Sequence, residues 1–257
     1  MNIKNIIRKT LILLFWIGIW GAIAYKIGKP VLLPSPISVF ARISELCLTS
    51  DFWIITGWSL ARITAGILFA ILLGILLAIV TAKSVFLKDL FAPIQTITKV
   101  TPVASFILLV LIWVDRDLVP AIISCMMVLP VVWNNVYTGL QNIEHDLLEM
   151  AALYHIKGST KLKRIILPSV MPYFLSAVQT SIGIGWKAGI AAEVLTVPVL
   201  SIGKMIADSK TYMETLDLFS WTVVVIIISL LIEKLLVTSI KKYYAKYLSK
   251  VGGYGRI

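Results

Sequence analysis

The chain has 257 residues, of which 59% are hydrophobic and only 14% are charged, and its formal net charge is +11. A soluble domain of this length could not bury so much apolar surface, so the composition excludes an ordinary soluble protein and predicts a membrane protein. The excess cations lie between apolar runs, which indicates membrane topology and contact with anionic lipid rather than binding to nucleic acid.

Six apolar runs are long enough to cross a bilayer, because one helical crossing takes about 20 mostly apolar residues. They predict an all-α, polytopic membrane protein with a single domain over 1–257. In chain order the runs cover roughly 9–27, 53–82, 91–114, 118–140, 169–193 and 215–240.

Two of the segments between these runs are too long to be simple turns. Pro34-Ser35-Pro36 prevents the first helix from continuing, and a short amphipathic helix is predicted over 37–48. A second short helix is predicted over 201–213. If both termini lie in the cytosol, fourteen Lys and Arg residues fall on the inner side and six on the outer side. This asymmetry follows the positive-inside rule and predicts that orientation.

The longest segment between two runs is 141–168, the inner loop. Asp146 and Glu149 place negative charge early in a helix, where the helix dipole favours it. Gly158-Ser159-Thr160 is expected to end that helix and to cap a second one, which stops where Pro168 opens the next span. The inner loop is therefore predicted to hold two short helices at the cytosolic surface.

Five residues of the inner loop match the pattern of one known family at the right separations, namely Glu149, Ala151, Ile165, Leu167 and Pro168. The pattern resembles the EAA loop of ABC-importer permeases, the segment that docks on a cytosolic ATPase. Met150 replaces the first alanine of that pattern, and His155 stands where the family usually has glycine. Gly158 is then the alternative position for the turn between the two helices.

Other segments extend the resemblance over most of the chain. They are similar to segments of the nitrate, sulfonate and taurine branch of these permeases, and they are Leu33-Pro34-Ser35-Pro36, Thr101-Pro102, Trp186-Lys187 and Ala192-Glu193.

The resemblance implies the type I ABC-importer fold, with about six transmembrane helices and a cytosolic loop of coupling helices, in the bacterial cytoplasmic membrane. It implies a permease that forms the translocation pathway for a small solute such as nitrate, a sulfonate or taurine. The implied partners are a second permease copy in a homodimer, two cytosolic ATPase subunits, an extracytoplasmic solute-binding protein and membrane lipid. The residues implied in coupling to the ATPase are Glu149, Ala151, Ala152, His155, Gly158, Ile165, Leu167 and Pro168.

The sequence contains no phosphate loop of the form G-x-x-x-x-G-K-[ST]. The chain is therefore not expected to be an enzyme or to hold a cofactor, and ATP with Mg is expected in the partner ATPase.

Polar and ionisable residues inside the spans are candidates to line the pathway, because such residues are costly at membrane depth unless they serve a function. Lys187 would offer positive charge to an anionic solute, and Glu193 would pair with a neighbouring span or gate the outer mouth. An ion pair or a helix-end charge explains both residues equally well. Gly185 and Gly189 predict close helix packing, either at a homodimer seam or, preferably, within one chain. The pathway candidates are Thr101, Ser105, Asn134, Gln179, Lys187 and Glu193.

The main alternative is a secondary transporter driven by an ion gradient. That class typically shows inverted repeats and central carboxylates, whereas this chain shows no internal repeat and no clearly central carboxylate. A membrane enzyme or a metal site is disfavoured, because the only two histidines, His145 and His155, both lie in the inner loop and Cys47 and Cys125 lack metal-ligand spacing.

Overall fold

A computed structural model describes residues 3–251, apart from the side chains of 3–6, 99, 237, 241 and 243–251. Within that range the chain forms eleven α-helices, one π-helical turn and no β-strand. In chain order these are α1 (Ile3–Ile27), α2 (Pro36–Cys47), α3 (Ser50–Lys83), α4 (Val85–Val100), α5 (Val103–Trp113), α6 (Val119–Gln141), α7 (His145–Leu153), α8 (Gly158–Lys161), the π turn (Leu162–Ile166), α9 (Leu167–Thr196), α10 (Ile202–Thr211) and α11 (Thr215–Val251).

Five helical stretches of the described chain are long and apolar enough to cross a membrane. They overlap the first, second, fourth, fifth and sixth expected runs, so the all-α polytopic architecture is confirmed. Their bounds are Ile7–Ile27, Ser50–Lys83, Val119–Gln141, Gly158–Thr196 and Thr215–Ile240.

The third expected run, 91–114, is not one helix. The structure divides it between α4 and α5, and Val85–Thr98 is bent by 104° relative to Val103–Trp113. Thr101 between them has an extended backbone (φ −75°, ψ 129°), because the residue before a proline is pushed out of the helical region. The third run is therefore not one continuous helix, because it breaks at Thr101-Pro102. Counted as one broken span, the bent pair brings the candidate spans to six.

The described chain divides into two compact units. One contains the chain up to residue 59 together with 193–227, and the other contains 60–192 and the chain from 228 onward. The boundaries fall inside α3, α9 and α11 rather than in linkers. The single domain expected over 1–257 stays a prediction.

In the unit built around 60–192, glycines let α9 approach α3 and α6 closely. A Cβ on Gly185 would lie 2.7 Å from Ile67 Cγ1 and 2.8 Å from Val128 Cγ2, and one on Gly189 would lie 2.5 Å from Ser124 Oγ. The Ser124 hydroxyl also donates to the Gly185 carbonyl at 3.0 Å. The glycine pair therefore serves packing within one chain, the preferred of its two interpretations.

In the other unit, α2 is tied to the start of α11 by a forked ion pair. Arg42 Nε and Nη2 donate to the two carboxylate oxygens of Asp217 at 2.6 and 3.0 Å. This contact, helped by Glu45, raises the pKa of the Arg42 guanidinium, so the charge is firmly held.

The Ser35 hydroxyl accepts from the Ser38 N–H and caps α2. The bounds of α2 and α10 confirm the two short helices expected over 37–48 and 201–213.

Candidate inner loop and solute pathway

The inner loop begins with α7, one side of which packs on its own chain. Ala151 is only 3% exposed, and Leu147 beside it is half-buried. Glu149 faces solvent, where its Oε1 lies 3.1 Å from Nδ1 of His145. Of the two alanines expected to admit a partner's backbone, only Ala152 is exposed. The small size of Ala151 is therefore explained by packing inside the chain.

The turn after α7 is built at His155, where the family pattern has glycine. Its φ of 45° lies in the left-handed region that non-glycine residues rarely occupy. The His155 N–H donates to the Ala152 carbonyl at 3.1 Å, and the Ile156 N–H donates to the Ala151 carbonyl at 2.9 Å. These two bonds form a Schellman motif, which satisfies carbonyls at the end of a helix. The turn therefore lies at His155, and Gly158, its alternative position, instead opens α8.

The second half of the inner loop runs into α9 without a break, so the expected separate helix that stops before Pro168 is wrong. In the π turn, the Leu167 N–H donates to the Leu162 carbonyl, five residues earlier. Proline has no N–H, and in a regular α-helix its ring meets the carbonyl four residues before it. A wider turn just before Pro168 gives the ring room. Ile165 is buried in this turn, whereas Leu167 is exposed.

A group of large apolar side chains is exposed on the inner loop. This loop patch consists of Met150, Leu153 and Tyr154, of which Leu153 and Tyr154 are 76% and 73% exposed. These residues lie outside the candidate spans, so lipid does not explain their exposure. Exposed apolar patches of this kind mark surfaces that contact other proteins. Sequence analysis did not single out these residues as contacts; their spacing of three and four along α7 is the signal that could have found them.

Helix α9 presents two different faces. Its buried face packs within the chain and includes Ala177, Val178, Ile182, Gly185 and Trp186. Its exposed face recurs every three to four residues and consists of Ser176, Thr180, Ile184, Lys187 and Ala191. Lys187 thus lies on the exposed face of a spanning helix, away from the core.

Glu193, expected to line the pathway, is instead completely buried. Its Oε2 accepts hydrogen bonds from the Ser59 hydroxyl at 2.8 Å and from the Gly203 N–H at 3.1 Å. The Ser59 oxygen in turn accepts from the Ile202 N–H at 2.9 Å. The first turn of α10 therefore receives a carboxylate, which suits the positive end of a helix. Glu193 ties α3, α9 and α10 together, and in this structure it does not face an open passage.

The remaining pathway candidates are not brought into one cluster. The Thr101 hydroxyl donates to the Ile97 carbonyl, and the Gln179 amide donates weakly to Glu233 at 3.4 Å. Ser105 is exposed on α5, and Asn134 is half-buried on α6. Among the described residues no hydrogen bond or ion pair joins any two of the six candidates.

Arg62, another ionisable residue inside a span, is paired rather than free. Its Nη2 lies 3.6 Å from Oδ1 of Asp117, and only 11% of its side chain is exposed. The pair lowers the cost of placing a cation in the membrane. Arg62 therefore has a structural explanation.

Three relatives show what the chain is similar to. A Bacillus subtilis (strain 168) protein named as a transport permease for aliphatic sulfonates, SsuC, is 22% identical over 232 residues, which cover 90% of this chain and 82% of SsuC. The nitrate import permease protein NrtB of Leptolyngbya laminosa is 31% identical over 161 residues, 62% of this chain and 56% of NrtB. The taurine transport system permease protein TauC of Escherichia coli (strain K12) is 22% identical over 220 residues, 83% of this chain and 80% of TauC.

The family described as binding-protein-dependent transport system inner membrane component matches residues 70–250. This match covers more than half of the chain and includes the inner loop and α9. The chain therefore belongs to this family, and it is a multi-span permease subunit of a bacterial ABC importer in the inner membrane, a transport protein rather than an enzyme, which works with ATPase and binding-protein partners.

Proposed function

We propose that the inner loop is the place where an ATPase subunit drives this permease. The observation that carries the proposal is the loop patch of Met150, Leu153 and Tyr154, which is apolar, exposed and outside the spans. Left in water such a surface is unfavourable, and an apolar cleft on a partner would cover it. Exposed cations beside the patch, Lys157 and Arg164, favour a cleft with an acidic rim.

The residues proposed to couple divide into two roles. Glu149, Ala152, Gly158 and Leu167 are exposed and are proposed to contact the ATPase together with the loop patch. Ala151, His155, Ile165 and Pro168 are proposed to shape the loop, through packing, the left-handed turn and the π turn.

Coupling requires that the ATPase contact the loop differently in two states, because otherwise no work is transmitted. In the second half of the inner loop, α8 continues through the π turn into α9 without a break, and α7 joins α8 through the hydrogen-bonded turn at His155. A displacement of the loop is therefore passed to a spanning helix. ATP and Mg are proposed to bind in the ATPase subunits, and two copies of this permease are proposed to enclose the pathway with both termini cytosolic.

The transported solute is proposed to be small and of the kind named for the relatives, which are nitrate, taurine and aliphatic sulfonates. A solute-binding protein outside the membrane would deliver it and would supply most of the selectivity.

The test replaces the loop patch in the assembled importer. We expect the double variant Leu153→Glu, Tyr154→Glu to reach the membrane at normal levels, because both side chains are exposed. It should lose the ATPase subunit on purification and should lower ATP-driven uptake of nitrate or taurine into proteoliposomes by at least about tenfold, the effect of losing a central interface contact.

The matched control is Leu153→Met with Tyr154→Phe, which keeps the apolar surface and should keep uptake within about twofold of the parent. Normal uptake and normal ATPase retention by the glutamate variant would remove the coupling role. Uptake that follows an ion gradient and needs no ATP would instead support a secondary transporter.

A further inference from the structure

We propose that Lys187 lines the solute pathway and binds the anionic group of the transported solute. The proposal rests on the proposed function, because it takes the exposed face of α9 to be the pathway wall. The second occupant of that wall is another copy of this chain.

The exposed faces of α3 and α9 differ in composition. Where α3 is exposed, the side chains are large and apolar, as at Leu68, Phe69, Leu72 and Leu76, which suits contact with lipid. The exposed face of α9 has only one large apolar side chain, Ile184, among Ser176, Thr180, Lys187 and Ala191, and a Cβ on the neighbouring Gly183 would meet open space. Polar residues in spanning helices face a bundle interior or a water-filled cavity rather than lipid.

Lys187 lies far from both ends of its helical stretch. Lys187 lies nine residues before α9 ends at Thr196, which is about 13 Å at the rise of an α-helix. The other end of the helical stretch is still further away, at Gly158. A lysine side chain is much shorter than either distance, so its ammonium group stays beside the exposed face of α9 and does not reach a helix end. Its charge must be met beside that face.

The charge of Lys187 is not balanced by any described residue of its own chain. Lys187 makes no ion pair with any described residue, and Glu193, six positions away on the same helix, is held by Ser59 and Gly203. If α9 lies at the two-fold axis between two copies, the second copy brings its own Lys187 to the same seam. Two ammonium groups in a polar passage attract a mobile anion.

A lysine ammonium group suits a transport pathway, in which the solute must be released as well as bound. A lysine ammonium is a compact point charge with three rotatable donors, and it lacks the fixed fork with which arginine grips an anion. A carrier must attract its solute strongly enough to admit it and weakly enough to release it. No carboxylate lies on the exposed face of α9 between Ser176 and Ala191, so a cation would find no ligand there.

The test measures the local potential directly and does not require ATP. In a background with Cys47→Ser and Cys125→Ser, Ala191→Cys places a reporter thiol one turn from Lys187. In membrane vesicles that hold the whole importer, we expect this thiol to react with small water-soluble thiosulfonates, and faster with an anionic reagent than with a cationic one. Lys187→Gln should lower that rate ratio by at least about tenfold, and Lys187→Arg should restore it.

The control thiol is Leu72→Cys on the apolar face of α3, which should react slowly with both reagents. An unreactive Ala191→Cys would show that the face is not in water, and an unchanged ratio in Lys187→Gln would show that the lysine does not set the potential; either result overturns the inference. A ratio that depends on the phosphatidylglycerol content of the vesicles would assign the site to lipid headgroups and would also overturn it. Loss of ATP coupling in the loop-patch variant is a separate result, so the two proposals fail independently.

Discussion

At the scale of single residues, the backbone at His155 adopts a left-handed turn although the glycine of the family pattern is missing. The sequence departs from glycine here, which leaves Gly158 as an alternative position for the turn. The backbone keeps the left-handed turn at His155, with its Schellman bonds to Ala151 and Ala152. The hydrogen bonds at the helix end outweigh the steric cost of a side chain in the left-handed region, about 1 kcal/mol. Sequence alone cannot compare these two energies, so it predicts the turn but leaves its position open.

We expect His155→Gly to stabilise the permease by about 0.5–1 kcal/mol, because glycine adopts the left-handed conformation without strain. Thermal unfolding of the purified importer in detergent measures the change. His155→Ala is the control, since alanine removes the imidazole but keeps the Cβ, and it should give no gain. Equal stabilisation by both variants would show that the imidazole, not the backbone, is the source of strain.

At the scale of elements, the buried carboxylate of Glu193 joins three helices. It receives the Ser59 hydroxyl and the Gly203 N–H, and a Cβ on Gly203 would collide with Glu193 itself. The sequence indicates that Glu193 is unusual, because a carboxylate near the end of a span is rare. It cannot show whether such a carboxylate faces a passage or a helix N-terminus, because Ser59 lies far away in the chain. These contacts favour the structural of the two explanations for Glu193, and its pathway role stays a prediction.

We expect Glu193→Ala to destabilise the permease by about 2–5 kcal/mol, because it leaves two buried donors without an acceptor. Glu193→Gln keeps a carbonyl oxygen at the same place and should cost less than about half as much. Denaturant or thermal unfolding in detergent ranks the two variants. If Glu193→Ala is as stable as the parent but transports slowly, the residue acts in the pathway after all.

An averaged hydropathy overlooks breaks and faces within a helical element. An apolar average over 91–114 predicts one span, although Thr101-Pro102 bends the chain by 104° within it. The average passes over the break because both flanking segments are apolar. The exposed face of α9 is equally hidden, since small residues on both faces of the helix blur its periodicity.

At the scale of the whole molecule, composition and the apolar runs predict the membrane class, the helical fold and the places of the spans, five of them continuous helices and the third a bent pair. The distribution of Lys and Arg between the loops adds a prediction of orientation, because placing both termini in the cytosol leaves most of these cations on the inner side. We expect Asp89→Cys at the start of α4 to react with an impermeant thiol reagent only from the cytosolic side. Ser44→Cys on α2 should react only from the outside. Inside-out and right-side-out vesicles of the variants without Cys47 and Cys125 provide the measurement, and reversed labelling would invert the topology.

The π turn at Leu162–Ile166 holds one more residue than an α-helical ring, since its closing bond joins residues five apart. Each residue of an α-helix winds the chain by about 100°. A pull that tightened this turn would take up the surplus residue and twist the start of α9 by up to roughly that angle. Further along, Gly185 and Gly189 fit closely against α3 and α6, so α9 cannot revolve alone. A stroke from below would instead carry all three helices together as one packed body.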